Sequence, residues 1–314
     1  MPLAEVIALF GPTGVGKTAV AVALARRLRE LGERPVAVSA DALQVYAGLE
    51  ILTGAATQEE QAELEHRLLA FLPVQERFSA GRYAELAHRE IDELLDAGQL
   101  PIVVGGTGLY LRAALAELSL APPPREGVRE HWLAELARAG PAALHQVLAS
   151  RAPWAAAEIA PGDRQRIVRA LELLDASELP PPGRAGSEPS ELWTEATRRP
   201  TLLAGLVMAR QRLYAQIDTR VDAMLSAGVA EEVRRAAAAG ASQTARKALG
   251  FDQLLAGDVD AMKRRTRNYA RRQLTWMRKL PSVHEVDLTD RDPDAAAEEI
   301  VTIWLQSESP RPVD

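Results

Sequence analysis

Four stretches of the sequence combine residue types and spacings able to do chemistry. The run Gly11-Pro12-Thr13-Gly14-Val15-Gly16-Lys17-Thr18 matches G-x-x-x-x-G-K-[ST]. In such a loop the backbone N–H groups converge on an anion at a helix N-terminus. The lysine adds charge to phosphate oxygens, and the Thr18 hydroxyl is placed to ligate Mg²⁺. Coming after an apolar run, the motif predicts a di- or triphosphate site rather than an empty glycine turn. A nucleotidase or kinase would add an acidic metal ligand at the end of a later strand. Here "PIVV" (101–104) leads into Gly105-Gly106-Thr107, with no carboxylate. That argues against simple ATP hydrolysis and leaves room for a substrate whose diphosphate departs.

The other three stretches are less specific. Asp41 follows the apolar run "PVAVSA" (35–40), at the strand end where open α/β sheets bind ligands. It is placed to act as a general base, to hold Mg²⁺ through water, or merely to cap the next turn. Gln44 carries an amide able to read a base edge, or is an ordinary surface polar residue. Thr107 follows two glycines that let backbone approach a ligand, or is a plain N-cap. Finally "MKRRTRNYARRQLTWMRK" (262–279) holds eight basic residues and no acid in a chain of net charge −6.

These residues need a scaffold. "EVIALF" (5–10), "PVAVSA" and "PIVVGG" (101–106) read as buried strands, "LLAFL" (68–72) as one ambiguous with helix. Helices are predicted from Lys17 to Leu31 and over 79–98, the latter with Ser79 as N-cap and a terminal glycine. Strand–helix alternation implies a parallel α/β sheet. Residues 1–120 then form the first part of a P-loop α/β core, and 121–199 a small all-helical insertion bounded by prolines at 122–124 and 180–182. Residues 200–314 form the second part, with strands at "TLLAGLVM" (201–208) and "SVHEVDL" (282–288) and the basic helix. On that helix Ala270, Leu274 and Met277 fall on a core-facing stripe, and Arg264, Arg267, Arg271 and Arg278 on another face. Such a face is either plainly solvated or a surface for RNA phosphates; the lack of any acid on it and a second basic set, Arg164, Arg166 and Arg169 in the insertion, favour the second.

Composition narrows the class. The 314 residues are 47% hydrophobic and include no cysteine, which excludes disulfides, thiolate metal sites and cysteine nucleophiles. No secretory signal or membrane-spanning run is expected, and no obligate protein partner is evident, so a cytoplasmic location is expected.

Taken together, "GPTGVGKT", "SADALQVYAGLEILTGAAT", "FSAGRY", "VVGGTGLYLRAAL", "IAPGDRQRIVRALEL" and "RRQLTWMRK" resemble the tRNA dimethylallyltransferases, across essentially the whole chain. The resemblance implies transfer of a dimethylallyl group from dimethylallyl diphosphate to tRNA. The acceptor is the exocyclic amine of the adenosine immediately 3′ of the anticodon, and Mg²⁺ is required. It further implies Asp41 as general base supported by Thr107, with Thr13 and Lys17 holding diphosphate. Asp41, Ala42, Leu43 and Gln44 would touch the target base. Arg129, Gln165, Arg166, Arg169, Arg267, Arg271, Arg272, Gln273, Trp276 and Arg278 are implied tRNA contacts, as is Arg246 or Lys247. Two departures stand out: Ala42 replaces the hydroxyl residue common in D-S-x-Q, and Phe251 replaces a tyrosine. Without cysteine there can be no zinc finger of the eukaryotic kind, so the likeness is to the bacterial type. A P-loop kinase of a small metabolite accounts for the loop and Asp41 but not the basic helix. A non-catalytic nucleotide-dependent RNA-binding protein leaves Asp41 and Thr107 idle.

Overall fold

A computed structural model of the chain describes residues 4–120, 125, 127–179 and 191–306. The prolines expected to break the pattern at 122–124 and 180–182 lie outside the described residues, as does most of the 176–191 segment. The chain begins with β1 (Val6–Phe10), α1 (Lys17–Glu30) and β2 (Pro35–Ser39). Short elements follow: β3 (Tyr46–Ala47), α2 (Glu50–Thr53), α3 (Gln58–Glu63), β4 (His66–Arg67) and β5 (Leu72–Pro73). Next come α4 (Ala80–Asp96), β6 (Leu100–Gly105) and α5 (Gly108–Leu115), then α6 (Val128–Arg151), α7 (Pro153–Glu158) and α8 (Arg164–Asp175). The remainder is β7 (Thr201–Val207), α9 (Arg210–Ser226), α10 (Val229–Ala238), α11 (Phe251–Leu255), α12 (Val259–Met277), β8 (His284–Asp287) and α13 (Pro293–Gln306).

Six strands form one sheet in the order β4-β2-β6-β1-β7-β8, and every neighbouring pair is parallel. β1 is buried at all five positions because helices cover both faces, which is why it reads as a continuous apolar run rather than an alternating one. One face is covered by α1 and α13, through Leu24 and Leu28 on one and Ile300 and Trp304 on the other. Along α4, Tyr83, Ala87, Ile91 and Leu94 are buried at helical spacing, and Ser79 accepts the Arg82 N–H as the expected N-cap. Ile91→Ala would cost about 2–5 kcal/mol through the cavity it leaves. The chain passes from β1 over to β2 and later fills the gap with β6. The strand ends beside β1 therefore form the crevice of a topological switch point.

Two expectations need correcting. The apolar 68–72 run is not one strand: Leu68 and Ala70, between β4 and β5, take positive φ values of 57° and 47°, and only Leu72 is in a strand, the start of β5. The backbone turns there so that the N–H groups of Ala70 and Phe71 reach Gln44 O and Val45 O. The insertion also ends earlier than 199. Two compact units are separable, Met1–Leu118 with Glu191–Asp314, and Ser119–Ser190. Arg198 and Arg199 belong to the first unit because both pair with Asp92 of α4.

In the second unit every described element is a helix, packed around Trp132, Leu144, Leu148, Ile167 and Leu171. Its core holds one carboxylate, Glu172, which a buried position tolerates only with partners. Arg129 supplies two hydrogen bonds, at 2.6 and 3.0 Å, and Arg169 a third at 3.1 Å. No helix among the described residues is long and apolar enough to cross a membrane.

Candidate active site

The phosphate loop follows β1 directly. Gly14 and Gly16 take φ values of 85° and 98°, and a Cβ on Gly14 would lie 2.8 Å from Ile217 Cγ1. The Lys17 ammonium donates to Gly11 O and Pro12 O at 3.0 Å each, folding back over its own loop. Burial, aided by the Arg220 guanidinium and opposed by Asp41, lowers the Lys17 pKa to about 8. An arriving anion would reverse that shift.

Arg220 carried no motif signal. It projects from α9 beside the buried stripe of Leu213, Ile217 and Val221. Its Nη2 lies 3.5 Å from Thr53 O and Gly54 O, a space open to it because Gly54 has no side chain. The carbonyls of α2 are held in place by Glu232, whose buried carboxylate accepts the N–H groups of Ile51 and Leu52 at 2.9 and 2.8 Å. Glu232, on α10, also escaped the sequence reading.

Asp41 both shapes its turn and faces the cavity. One oxygen accepts the Leu43 N–H at 2.9 Å; the other accepts the Thr107 hydroxyl at a long 3.4 Å. Burial pushes its pKa up against the Leu43 N–H and Lys17, a shift in the direction of a more basic carboxylate. Gly105 brings these loops together: a Cβ there would sit 2.3 Å from Ala40 O. Thr107 occupies the N-cap position of α5 but makes no capping bond. Its hydroxyl meets the Tyr269 phenol at 3.1 Å instead. Burial holds the phenol protonated, with a pKa raised to about 12, so Tyr269 donates to Thr107 and Thr107 to Asp41. Tyr269, on α12, is the third residue the sequence reading missed.

Gln44 is not a surface residue. Its carbonyl oxygen accepts the Ser39 hydroxyl at 3.1 Å, and its NH₂ donates to Gly54 O at 3.1 Å. Thr13, Lys17, Asp41, Gln44, Arg220 and Tyr269 all line one cavity of about 880 Å³, with an apolar wall that includes Leu52, Met224 and Met262. Thr18 lines it too. Among the described residues no group of three or more His, Asp or Glu side chains could hold a metal. The Thr18 hydroxyl alone would suit a cation such as Mg²⁺, which takes few protein ligands and would rely on waters and substrate phosphate for the rest.

The basic helix divides by partner. Lys263 pairs with Asp222 at 2.6 Å, and Arg267 with Asp218 while lying over the Tyr214 ring. The acid that segment 262–279 lacks is thus supplied by α9, and Arg267 is no free phosphate ligand. Arg264, Arg271, Arg272 and Arg278 are exposed, and none has a carboxylate partner among the described residues. Gln273 and Trp276 turn inward: Gln273 is 5% exposed, and Trp276 packs against Trp193 in a tilted pair, 4.4 Å between centroids. Arg246 lies over the ring of buried Phe251, while Lys247 is exposed beside it. In the second unit Gln165 and Arg166 are exposed on the first turn of α8, whereas Arg129 and Arg169 are engaged by Glu172.

The family model described as IPP transferase matches residues 44–280. The tRNA dimethylallyltransferase of Kineococcus radiotolerans is 40% identical over 303 residues, covering 92% of each chain. That of Rhodospirillum centenum is 43% identical over 290 residues, covering 87% of this chain and 88% of its own. The tRNA isopentenylpyrophosphate transferase of Bacillus halodurans superposes with a TM-score of 0.67 at 32% identity, over 96% of this chain and 97% of that one. A eukaryotic dimethylallyltransferase acting on tRNA shares the fold at a TM-score of 0.76 and 24% identity, over 98% of this chain and 81% of that one. With the phosphate loop, Asp41 and Thr107 gathered at one crevice, and relatives of this identity along most of its length, the chain belongs to the IPP transferase family.

Proposed function

We propose that this chain transfers a dimethylallyl group from dimethylallyl diphosphate to tRNA, at the exocyclic amine of the adenosine immediately 3′ of the anticodon, releasing diphosphate. The observation that carries the reading is a base and an anion cradle sharing one cavity: Asp41, linked through Thr107 to Tyr269, and Lys17 with Arg220. An adenine amine is a weak nucleophile because its lone pair is delocalised into the ring. Removing its proton as the C–N bond forms supplies roughly 10²- to 10⁴-fold, and the raised Asp41 pKa favours that role. The opposite demand arises at the leaving group, where negative charge grows on diphosphate. Preorganised N–H groups, Lys17 and Arg220 meet it. Mg²⁺, held by Thr18 and the diphosphate, would neutralise the same oxygens.

The adenine must leave its stack to reach Asp41. Exposed Arg264, Arg271, Arg272 and Arg278 on α12, with Arg246 and Lys247, supply charge for the RNA backbone. Gln165 and Arg166 offer a second set, and Arg129 and Arg169 would have to share their contacts with Glu172. The absence of a membrane-crossing helix among the described residues is compatible with a cytoplasmic enzyme. The small-metabolite kinase reading has no support among the relatives, which are named as tRNA transferases. Incubation with labelled dimethylallyl diphosphate and tRNA should label the RNA and release diphosphate. ATP turnover without transfer to tRNA would overturn the proposal.

A further inference from the structure

Gln273 lies in the most basic stretch of the chain, yet it is among the most completely engaged polar side chains of α12. It is 5% exposed and uses both ends of its amide. The oxygen accepts the Thr13 N–H of the phosphate loop at 2.8 Å, and the NH₂ donates to Gly106 O at 2.6 Å in the loop between β6 and α5. One partner is a donor and the other an acceptor, so a single amide orientation satisfies both. The contact is close-packed as well. A Cβ on Gly106 would lie 2.4 Å from Gln273 Nε2, 3.0 Å from Gly11 O and 3.2 Å from Lys17 Nζ. Glycine at 106 is what admits the amide between the two loops.

We infer that Gln273 is a positioning residue: it ties the loop that holds the departing diphosphate to the loop that carries Thr107, and so keeps leaving group and base in one geometry. This rests on the transfer reaction proposed above. Its neighbours along the inner face share part of the task. Tyr269, one turn earlier, bonds Thr107. Trp276, one turn later, packs so closely under Gly108 that a Cβ there would lie 2.0 Å from its ring. Both touch the Thr107 loop, whereas Gln273 joins it to the phosphate loop. Two consequences follow for residues named from the sequence. The Thr13 N–H is committed to Gln273, so Thr13 serves a diphosphate through its hydroxyl and not its amide. Gln273 itself, 5% exposed and bonded to both loops, presents little of its amide to the surface for tRNA.

No other side chain of similar size does both jobs. Methionine offers neither a donor nor an acceptor of comparable strength, leaving a buried N–H and a buried C=O unpaired. Ionised glutamate accepts from Thr13 but turns an oxygen on Gly106 O, and only its protonated form restores the donation. Gln273→Met should lower kcat about 10²-fold, the scale expected of a small misplacement of reacting groups. It should also raise the KM for dimethylallyl diphosphate. The Kd for tRNA and its salt dependence should stay within about twofold of wild type. Wild-type kcat with weakened tRNA binding would overturn the inference and make Gln273 an RNA-binding residue. If Gln273→Met does not fold, Gln273→Glu carries the test. Its transfer rate, as a ratio to wild type, should climb as pH falls from about 8 to 6 and the new carboxyl takes up a proton. A ratio independent of pH would overturn the inference. A wild-type protein that labels no tRNA fails the proposed function; a wild type and Gln273→Met that label it equally fast fail this inference alone.

Discussion

Lys17, Asp41 and Arg220 are sunk around one cavity, whereas Arg271, Arg272 and Arg278 stand exposed on the outer side of α12. Burial alters the first set. It pulls Lys17 and Arg220 down and pushes Asp41 up, and each is held by named neighbours before any ligand arrives. The second set keeps its hydration and has no carboxylate to release. Preorganised charge in a partly dry site stabilises charge that develops during a reaction. Exposed charge draws a polyanion in and is screened by salt. If the proposed reaction holds, the same residue types would act on the chemical step in one region and on encounter in the other.

The sharpest break of that contrast is Asp41→Asn. Turnover should fall by about 10² or more while tRNA affinity changes little, because the base goes and the turn stays. Near-normal turnover in single-turnover transfer would leave Asp41 with only its Leu43 N–H bond, as a cap.

Lys17→Ala should nearly abolish transfer and weaken diphosphate binding, as measured by calorimetry. The pH dependence tests the burial argument more finely. With its pKa lowered to about 8, Lys17 loses its proton as pH rises past that value, so wild-type affinity for diphosphate should decline above about pH 8. Lys17→Arg stays charged throughout this range and should lack that part of the decline. Identical profiles would show that Lys17 is as hydrated as a surface lysine.

Thr107→Ala and Tyr269→Phe interrupt the relay to Asp41 without removing the base. Each deletes a hydrogen bond worth roughly 1 kcal/mol, so kcat should drop about five- to tenfold. An unchanged kcat for both would separate the relay from the reaction.

The smallest effect on chemistry is expected at the exposed face. Arg271→Gln with Arg272→Gln should weaken all tRNAs alike. The slope of log affinity against log salt should become shallower by roughly 0.7–0.9 for each phosphate that is no longer neutralised. Turnover at saturating tRNA should hold. Arg267→Gln should alter the slope less, because that guanidinium is already paired with Asp218. An equal slope change for Arg267 would dissolve the distinction between paired and exposed cations.

Much of this was legible because it is local. A glycine loop, its lysine and its hydroxyl are consecutive, and an acid just after a buried strand sits at the sheet's carboxyl edge whatever surrounds it. Strand, helix and cap patterns behaved likewise, as at Ser79 and in the all-apolar β1. The apolar run at 68–72 misled because its fate depends on hydrogen bonds to Gln44 and Val45 in another loop. Gln44 was open to misreading for the same reason, since its partners are Ser39 and the carbonyl of Gly54.

By itself the sequence determined the parallel α/β core, the phosphate loop, the strand-end positions of Asp41 and Thr107, and the gathering of positive charge between 262 and 279. Backbone conformation and hydrophobic period act over a few residues, and these features need nothing more. The tertiary structure alone decided that Arg220 and Tyr269 enter the cavity, that Asp218 and Asp222 neutralise part of the basic helix, and that Gln273 bonds the Thr13 and Gly106 loops. Those assignments depend on how α9 and α12 are rotated over the crevice. Rotation is set by packing between segments far apart in the chain, which no local pattern encodes.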